Sequence, residues 1–277
     1  MNGTVKYLNG QFDRLLSKAF CAQGVVVPPR VLRHYANLQS YEFASTIRRF
    51  VGSSRRVLII GDAGGRDTYF LQMAGKEVTV LDIAPQSLPG LVQADVSQPL
   101  PFPAGSFDAI VMAEVLEHLV EDAAALSHIR TILRDDGALV LTVPFFHDRA
   151  PYHVRIHSPL TIQRLLGAAG FEVAQYRERG GGFGEFPGVL AIYRYPLHLL
   201  NWLSDRLLHR TFYEWLNARL ASVDDYFGRR QHSLWHRWSP HYGAILQCRK
   251  SQTQDFVMLN RVKFEHLTPE RADGAPS

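Results

Sequence analysis

Between Arg55 and Pro85 the chain reads RRVLIIGDAGGRDTYFLQMAGKEVTVLDIAP, an order of residues that leaves few folds open. Val57, Leu58, Ile59 and Ile60 form a short unbroken apolar run, the pattern of a strand buried on both faces of a parallel sheet. The run ends in Gly61, Gly64 and Gly65, which permit a tight turn and let backbone come close to a ligand. A helix follows, then a second β-branched strand, Glu77 to Leu81, which delivers Asp82 at its carboxyl end. Open α/β sheets bind ligands beyond the carboxyl ends of their strands, and an acid at the end of the second strand can hold two ribose hydroxyls. The segment reads as a nucleotide-type cofactor site with Asp82 as its leading residue.

The glycine turn, Gly61-Asp62-Ala63-Gly64-Gly65, departs from the dinucleotide fingerprint, whose third glycine lies further along. A G-x-A-x-G turn followed by an acid about twenty residues on resembles motif I of the class I S-adenosylmethionine (SAM) methyltransferases, within the methyltransferase type 11, UbiE-like superfamily. That family binds a nucleoside without phosphates. The resemblance implies that Gly61, Asp62, Ala63 and Gly65 pack under the amino acid end of SAM, Asp62 more through its backbone than its carboxylate. It implies that Asp82, with Ile83 beside it, takes the ribose. Further along, QADVSQPLPFPAGSFDAIVMAEVLEHL looks like the family's next motifs in order. There Asp95, flanked by Val96, would accept from the adenine amino group, and the strand Phe107 to Ala113 would end beside the sulfonium, with Glu114 just after it placed to contact the cofactor or the acceptor. LRDDGALVLTVPFF resembles the fifth strand, after a helix end and a turn at Asp136-Gly137, and HSPLTIQRLLGAAGFEV resembles a helix, capped by Gly170, and the sixth strand. The likeness spans Arg55 to Glu178. Ala63 stands where a glycine is usual, and Ile59 where an acid is frequent.

The fold expected is α/β, a doubly wound seven-stranded Rossmann-like methyltransferase sheet. HYGAILQCR, His241 to Arg249, is its last strand, antiparallel to its neighbours. Residues 1–54 are read as an N-terminal helical cover over the cofactor end of the sheet, broken at Pro28 and Pro29, with LRHYANLQSYEFASTIRRF its clearer helix. Residues 55–250 form the SAM-dependent domain and 251–277 a mobile polar tail. Inside the domain, 180–240 is an insertion rich in aromatic residues and leucine. Leu197, Leu200, Leu203, Leu207 and Leu208 recur at helical spacing, so this helix is expected to pack on something. Three readings are carried: a cap helix closing its own core against the sheet, a lid over the acceptor, and peripheral membrane contact through 189–216.

A chain of 277 residues can bury a full core. A formal charge of +4 is poor support for nucleic acid as a partner. Cys21 and Cys248 provide neither a disulfide framework nor a metal-ligand spacing. The polar start of the sequence lacks a signal-peptide pattern, so a cytoplasmic place is expected.

Methyl transfer needs alignment more than covalent help, and a hydroxyl acceptor gains from a base near neutral pKa. His147, His153 and His157, in FFHDRAPYHVRIHSP after strand five, are the candidate catalytic residues, with Arg149 and Arg155 able to grip an acceptor. Glu117 reads as an acid in the first turn of HLVEDAAALSHIRTIL, and His118 as a packed residue. Where amino methyltransferases carry an Asn/Asp-Pro-Pro-aromatic motif, this chain has Met112-Ala113-Glu114-Val115, and neither cysteine lies near the loops of a carbon-5 cytosine enzyme. Asp135 and Asp136 read as part of a helix-ending turn, so no metal is expected. The reading is O-methylation of a small molecule, sugar or lipid-linked glycan. The runner-up is an RNA or protein methyltransferase, through the arginine-rich RRQHSLWHRW, and a further class is a non-catalytic SAM-binding protein.

Overall fold

The computed structural model describes residues 2–21, 24–62, 64–145, 152–180, 187–228 and 241–251. Helices α1 (Asn2–Phe20), α2 (Pro29–Ala36) and α3 (Leu38–Val51) precede β1 (Arg56–Ile60), α4 (Arg66–Met73), β2 (Glu77–Asp82), β3 (Leu91–Gln93) and β4 (Phe107–Ala113). A 3₁₀ turn, Leu116–His118, leads to α5 (Asp122–Ile132), β5 (Leu133–Pro144), α6 (Pro159–Ala168) and β6 (Phe171–Gly180). Helices α7 (Pro187–Leu208) and α8 (Tyr213–Gly228) then precede β7 (His241–Lys250). The strands form one seven-stranded sheet in the order β3-β2-β1-β4-β5-β7-β6, with β7 antiparallel to both its neighbours, as expected. The order reverses between β1 and β4, the place at which open α/β sheets bind ligands beyond the carboxyl ends of their strands.

Alternation along β1 divides the core. Leu58 and Ile60 face a layer containing Leu126 and Ile129 of α5 and Ile162 and Leu166 of α6. Val57 and Ile59 face Phe43, Ile47 and Phe50 of α3. Helix α3 is therefore one of the layers of the sandwich as well as part of a cover. The long helix read around LRHYANLQS is two helices. Asn37 is extended (φ −83°, ψ 123°), and its side chain accepts from the Gln39 and Ser40 amides, which starts α3.

Two other local expectations change. Strand β5 starts at Leu133, and its register against β4 jumps from Phe107–Leu133 to Ala109–Ala138. Arg134 to Gly137 thus bulge from the strand and do not end a helix. There Arg134 holds Asp136 (3.1 Å) and Asp108 (3.3 Å), and Asp135 meets Lys250 (2.9 Å). Helix α5 starts only at Asp122, so Glu117 is not in its first turn and receives no support from its dipole.

Among the described residues, the insertion packs on the N-terminal helices and α4. Leu197 of α7 and Tyr213 of α8 join Leu15, Leu16 and Phe20 of α1, Leu32 and Tyr35 of α2, and Phe70 of α4 in a separate core. The face that residues 196–208 of α7 turn inward is largely polar: Asn201, Ser204 and Asp205 are buried with Leu197. Asp205 needs that position because Arg14 (3.2 Å) and Lys18 of α1 pair with it. The consequence is that Leu200, Leu203, Leu207 and Leu208 of the expected packing stripe are exposed.

Candidate functional site

The turn after β1 is built for close approach. Gly61 has φ +74°, and a β-carbon there would lie 2.4 Å from Cγ2 of Val115. Gly65 (φ +75°) opens α4, while a β-carbon at Gly64 would meet nothing within 4 Å. Asp62 is buried, and its Oδ2 accepts from the Thr68 amide of α4 at 2.7 Å. Burial, followed by the nearby Asp67 carboxylate, raises the pKa of Asp62. Its carboxylate thus anchors the helix, a task for the side chain that the sequence reading did not anticipate.

Asp82 ends β2 nearly buried, with Oδ1 accepting from the Ala84 amide at 2.9 Å. Ile83 beside it is exposed, and its carbonyl accepts from Gln93 Nε2 at 3.0 Å. Asp95 follows β3, with Oδ1 accepting from the Ser97 amide at 2.8 Å, and Val96 turns into the core. Ala113 ends β4. Gly61, Asp82, Asp95 and Glu114 therefore sit at or just past the ends of β1, β2, β3 and β4, along one edge of the sheet. Ala63 lies outside the described residues.

Glu114 is the strained member of the set, a non-glycine residue at φ +57°. Such backbone costs roughly 1–3 kcal/mol and persists where surrounding contacts impose it. Here Thr142 of β5 receives the Glu114 amide on its hydroxyl oxygen (3.0 Å) and donates that hydroxyl to Glu114 Oε1 (2.7 Å). Arg179 of β6 pairs with the same carboxylate at 2.5 Å. The Arg179 guanidinium also lies 4.7 Å from the ring centroid of Phe43, and Arg66 lies 4.1 Å from it. Arg66 in turn pairs with Asp67 at 2.7 Å, and its carbonyl accepts from the hydroxyl of Tyr35 at 2.5 Å. A chain of contacts thus ties α2 and α3 to the glycine turn and to the end of β4. Arg179, Thr142, Phe43 and Tyr35 were all missed from sequence. Only Arg179 carried a signal, as a charge at the carboxyl end of a strand that runs in the same direction as β1–β5.

Beyond Glu114, the Glu117 carbonyl accepts from the Val154 amide (2.9 Å) and the Arg155 amide (3.2 Å). The segment before α6 is thereby pinned to the 3₁₀ turn, and His153 meets His118 edge to face, with ring centroids 4.5 Å apart. Burial pushes the Glu117 carboxyl up to about 8, and the Glu114 carboxylate adds to the shift. Of the three candidate bases, His153 joins this cluster, while His147 and Arg149 lie outside the described residues. Arg155 is engaged by Asp122.

His157 is only 2% exposed and is packed in the interior. Burial, with a smaller effect of Arg155, holds its pKa below the ordinary 6.5, against the pull of Asp122. The unfolded chain then takes up the proton first. The stability that His157 contributes is fully present above pH 6.5 and is lost as pH falls through that value toward the folded pKa. Chemical denaturation of wild type and His157→Gln between pH 7.5 and 5 is expected to show a steeper acid loss in wild type, by up to about 1.4 kcal/mol per pH unit. Parallel curves would remove His157 from this role.

Residues 42–141 match the family model of a methyltransferase domain. The chain is 31% identical over 145 residues to a ubiquinone biosynthesis O-methyltransferase of Xanthomonas axonopodis pv. citri, covering 48% of this chain and 58% of that protein. A protein of the same description from Xanthomonas campestris pv. campestris strain B100 is 32% identical over 100 residues, or 31% of this chain and 42% of its own. The chain thus spans less than two thirds of these relatives. Among solved structures, the 1,6-didemethyltoxoflavin-N1-methyltransferase of Burkholderia thailandensis is similar over 90% of each chain, with a TM-score of 0.47 and 18% identity.

Proposed function

We propose that this chain, whose residues 42–141 match the model of a methyltransferase domain, is a SAM-dependent enzyme that transfers a methyl group to an oxygen of a small-molecule, sugar or lipid-linked acceptor. One observation carries the reading: the glycine turn, Asp82, Asp95 and Glu114 lie along a single sheet edge, at the point where the strand order reverses. The turn fits the cofactor, because a side chain at Gly61 would fill the space beside Val115 while Gly64 is open. SAM would supply an electrophilic methyl group. The chain's own part is to hold the ribose at Asp82, the adenine at Asp95 and the amino acid end at the turn, so that the acceptor meets the methyl group in line. Oxygen as the methylated atom is supported by the description of the relatives and by the Met112-Ala113-Glu114-Val115 sequence.

Asp82→Ala is expected to weaken binding of SAM and S-adenosylhomocysteine by about 1–3 kcal/mol, the cost of leaving buried polar partners unpaired. Unchanged affinity by calorimetry would remove the ribose assignment. The reading as a whole is tested by transfer from methyl-labelled SAM into a host extract separated into small-molecule, lipid and glycan, RNA, and protein fractions. Label in the first two fractions, lost with the Asp82→Ala protein, is the expected result. Label confined to RNA or protein would favour the runner-up.

A membrane surface is the proposed docking place for an apolar acceptor. Leu199, Leu200, Leu207 and Leu208 of α7 are exposed, Leu207 by 73%, and Arg206 stacks over Trp202 at 5.5 Å. Among the described residues no helix is long and apolar enough to cross a membrane. Wild type is expected to co-sediment with anionic phospholipid vesicles, and Leu203→Glu/Leu207→Glu to lose about tenfold in partitioning. Equal partitioning of the two proteins would discard the contact.

A further inference from the structure

We propose that Glu117, His118 and His153 form a site for one divalent cation of the zinc type, against the expectation from sequence of no metal. One carboxylate oxygen of Glu117 and one ring nitrogen from each histidine all lie within 4.8 Å of one another. The three residues come from two segments, the turn after β4 and the stretch before α6, held together by the two amide hydrogen bonds onto the Glu117 carbonyl. A mixed set of two imidazoles and one carboxylate is a donor set for zinc and its first-row neighbours and not for calcium or magnesium, which take oxygen ligands.

Glu117 points to a ligand independently of this convergence. Its side chain is only 1% exposed, and neither carboxylate oxygen has a hydrogen-bond partner among the described residues. A carboxylate so buried needs a proton or a cation. Glu114 does not fill that need, since it is itself acidic and is committed to Thr142 and Arg179. His118 is oriented for ligation: its Nδ1 lies 3.5 Å from the Tyr152 carbonyl, and its ring stacks on Tyr152 at 5.4 Å. In the tautomer that donates Nδ1–H to that carbonyl, Nε2 is the nitrogen open to a metal. An ion about 2.0–2.2 Å from each donor would draw the three atoms together from their present spread.

Three protein ligands leave a coordination position for an oxygen of the acceptor. This role rests on the methyl-transfer reading. A hydroxyl bound to the ion releases its proton to water more readily. Its oxygen then bonds to the methyl carbon as the carbon–sulfur bond breaks and the electron pair stays on sulfur, leaving S-adenosylhomocysteine. His153 is then a ligand and not the base.

The test begins with chelator-stripped full-length protein titrated with zinc chloride by calorimetry and with cobalt(II) by visible absorption. Saturation at one ion per chain is expected, with cobalt bands of a nitrogen- and oxygen-ligated ion. Glu117→Gln and His153→Ala are each expected to lower affinity at least about tenfold, while S-adenosylhomocysteine binding reports that each variant is folded. If one variant fails to fold, the other is read. Absence of saturable binding in wild type, or binding that both variants retain unchanged, overturns the site. Zinc bound as expected together with no label transferred to any fraction leaves the site standing and removes the methyl-transfer reading.

Discussion

Gly61→Ala is expected to destabilise the folded chain by about 2–5 kcal/mol and to abolish measurable S-adenosylhomocysteine binding. Two penalties combine. The residue sits at φ +74°, a left-handed conformation that costs an alanine roughly 1–2 kcal/mol. Its β-carbon would also stand 2.4 Å from Cγ2 of Val115, and a β-branched side chain cannot swing aside without leaving its preferred rotamer. A double variant separates them. Gly61→Ala/Val115→Ala removes the collision but keeps the backbone strain, so it should recover part of the lost stability, measured by denaturant unfolding. A single variant as stable as wild type would mean that the turn after β1 relaxes freely, and the close-approach account of the cofactor turn would fail with it.

The second large effect is expected at Tyr35. Its ring is fully buried among Phe20 (5.8 Å between centroids) and Phe70 (5.1 Å), and its hydroxyl donates to the Arg66 carbonyl at the start of α4. Asn217 of α8 donates to the Tyr35 carbonyl at 2.8 Å, so the residue joins the N-terminal helices, the insertion and the helix of the glycine turn. Tyr35→Ala leaves a cavity at this junction and should cost about 3–5 kcal/mol, the range for large aromatic truncations. Tyr35→Phe keeps the packing and removes only the donor to Arg66, for about 1 kcal/mol. If the N-terminal helices were an independent cover, Tyr35→Ala would leave S-adenosylhomocysteine affinity unchanged. The structure leads to the opposite expectation, a weaker affinity together with a lower Tm, because α4 loses its support.

Much of this site was legible because it is local. The run Val57 to Ile60, the glycines after it and Asp82 at the end of the next strand are neighbours in sequence, and their periodicity specifies a strand, a turn and a strand before any tertiary contact is known. His241 to Arg249 was legible as the last strand for the same reason. The break at Asn37 was less so, since an asparagine inside a helical pattern becomes a boundary only when its side chain turns back onto the following amides. The leucines of α7 misled because spacing identifies a helical face without saying which way it turns. Asp205 decided the direction, through Arg14 and Lys18 on a helix far away in sequence.

By itself, then, the sequence determined β1, β2 and β4, the glycine turn after β1 and the acids at or just past the ends of β2, β3 and β4, all of which depend on hydrophobic period, glycine freedom and position along one chain. The tertiary structure alone decided that Arg179 grips Glu114, that Asn217 of α8 holds the Tyr35 carbonyl of α2, and that Glu117 is buried beside His118 and His153. These are contacts between distant segments, and strand order and loop closure set them, neither of which leaves a periodic trace in the residues concerned.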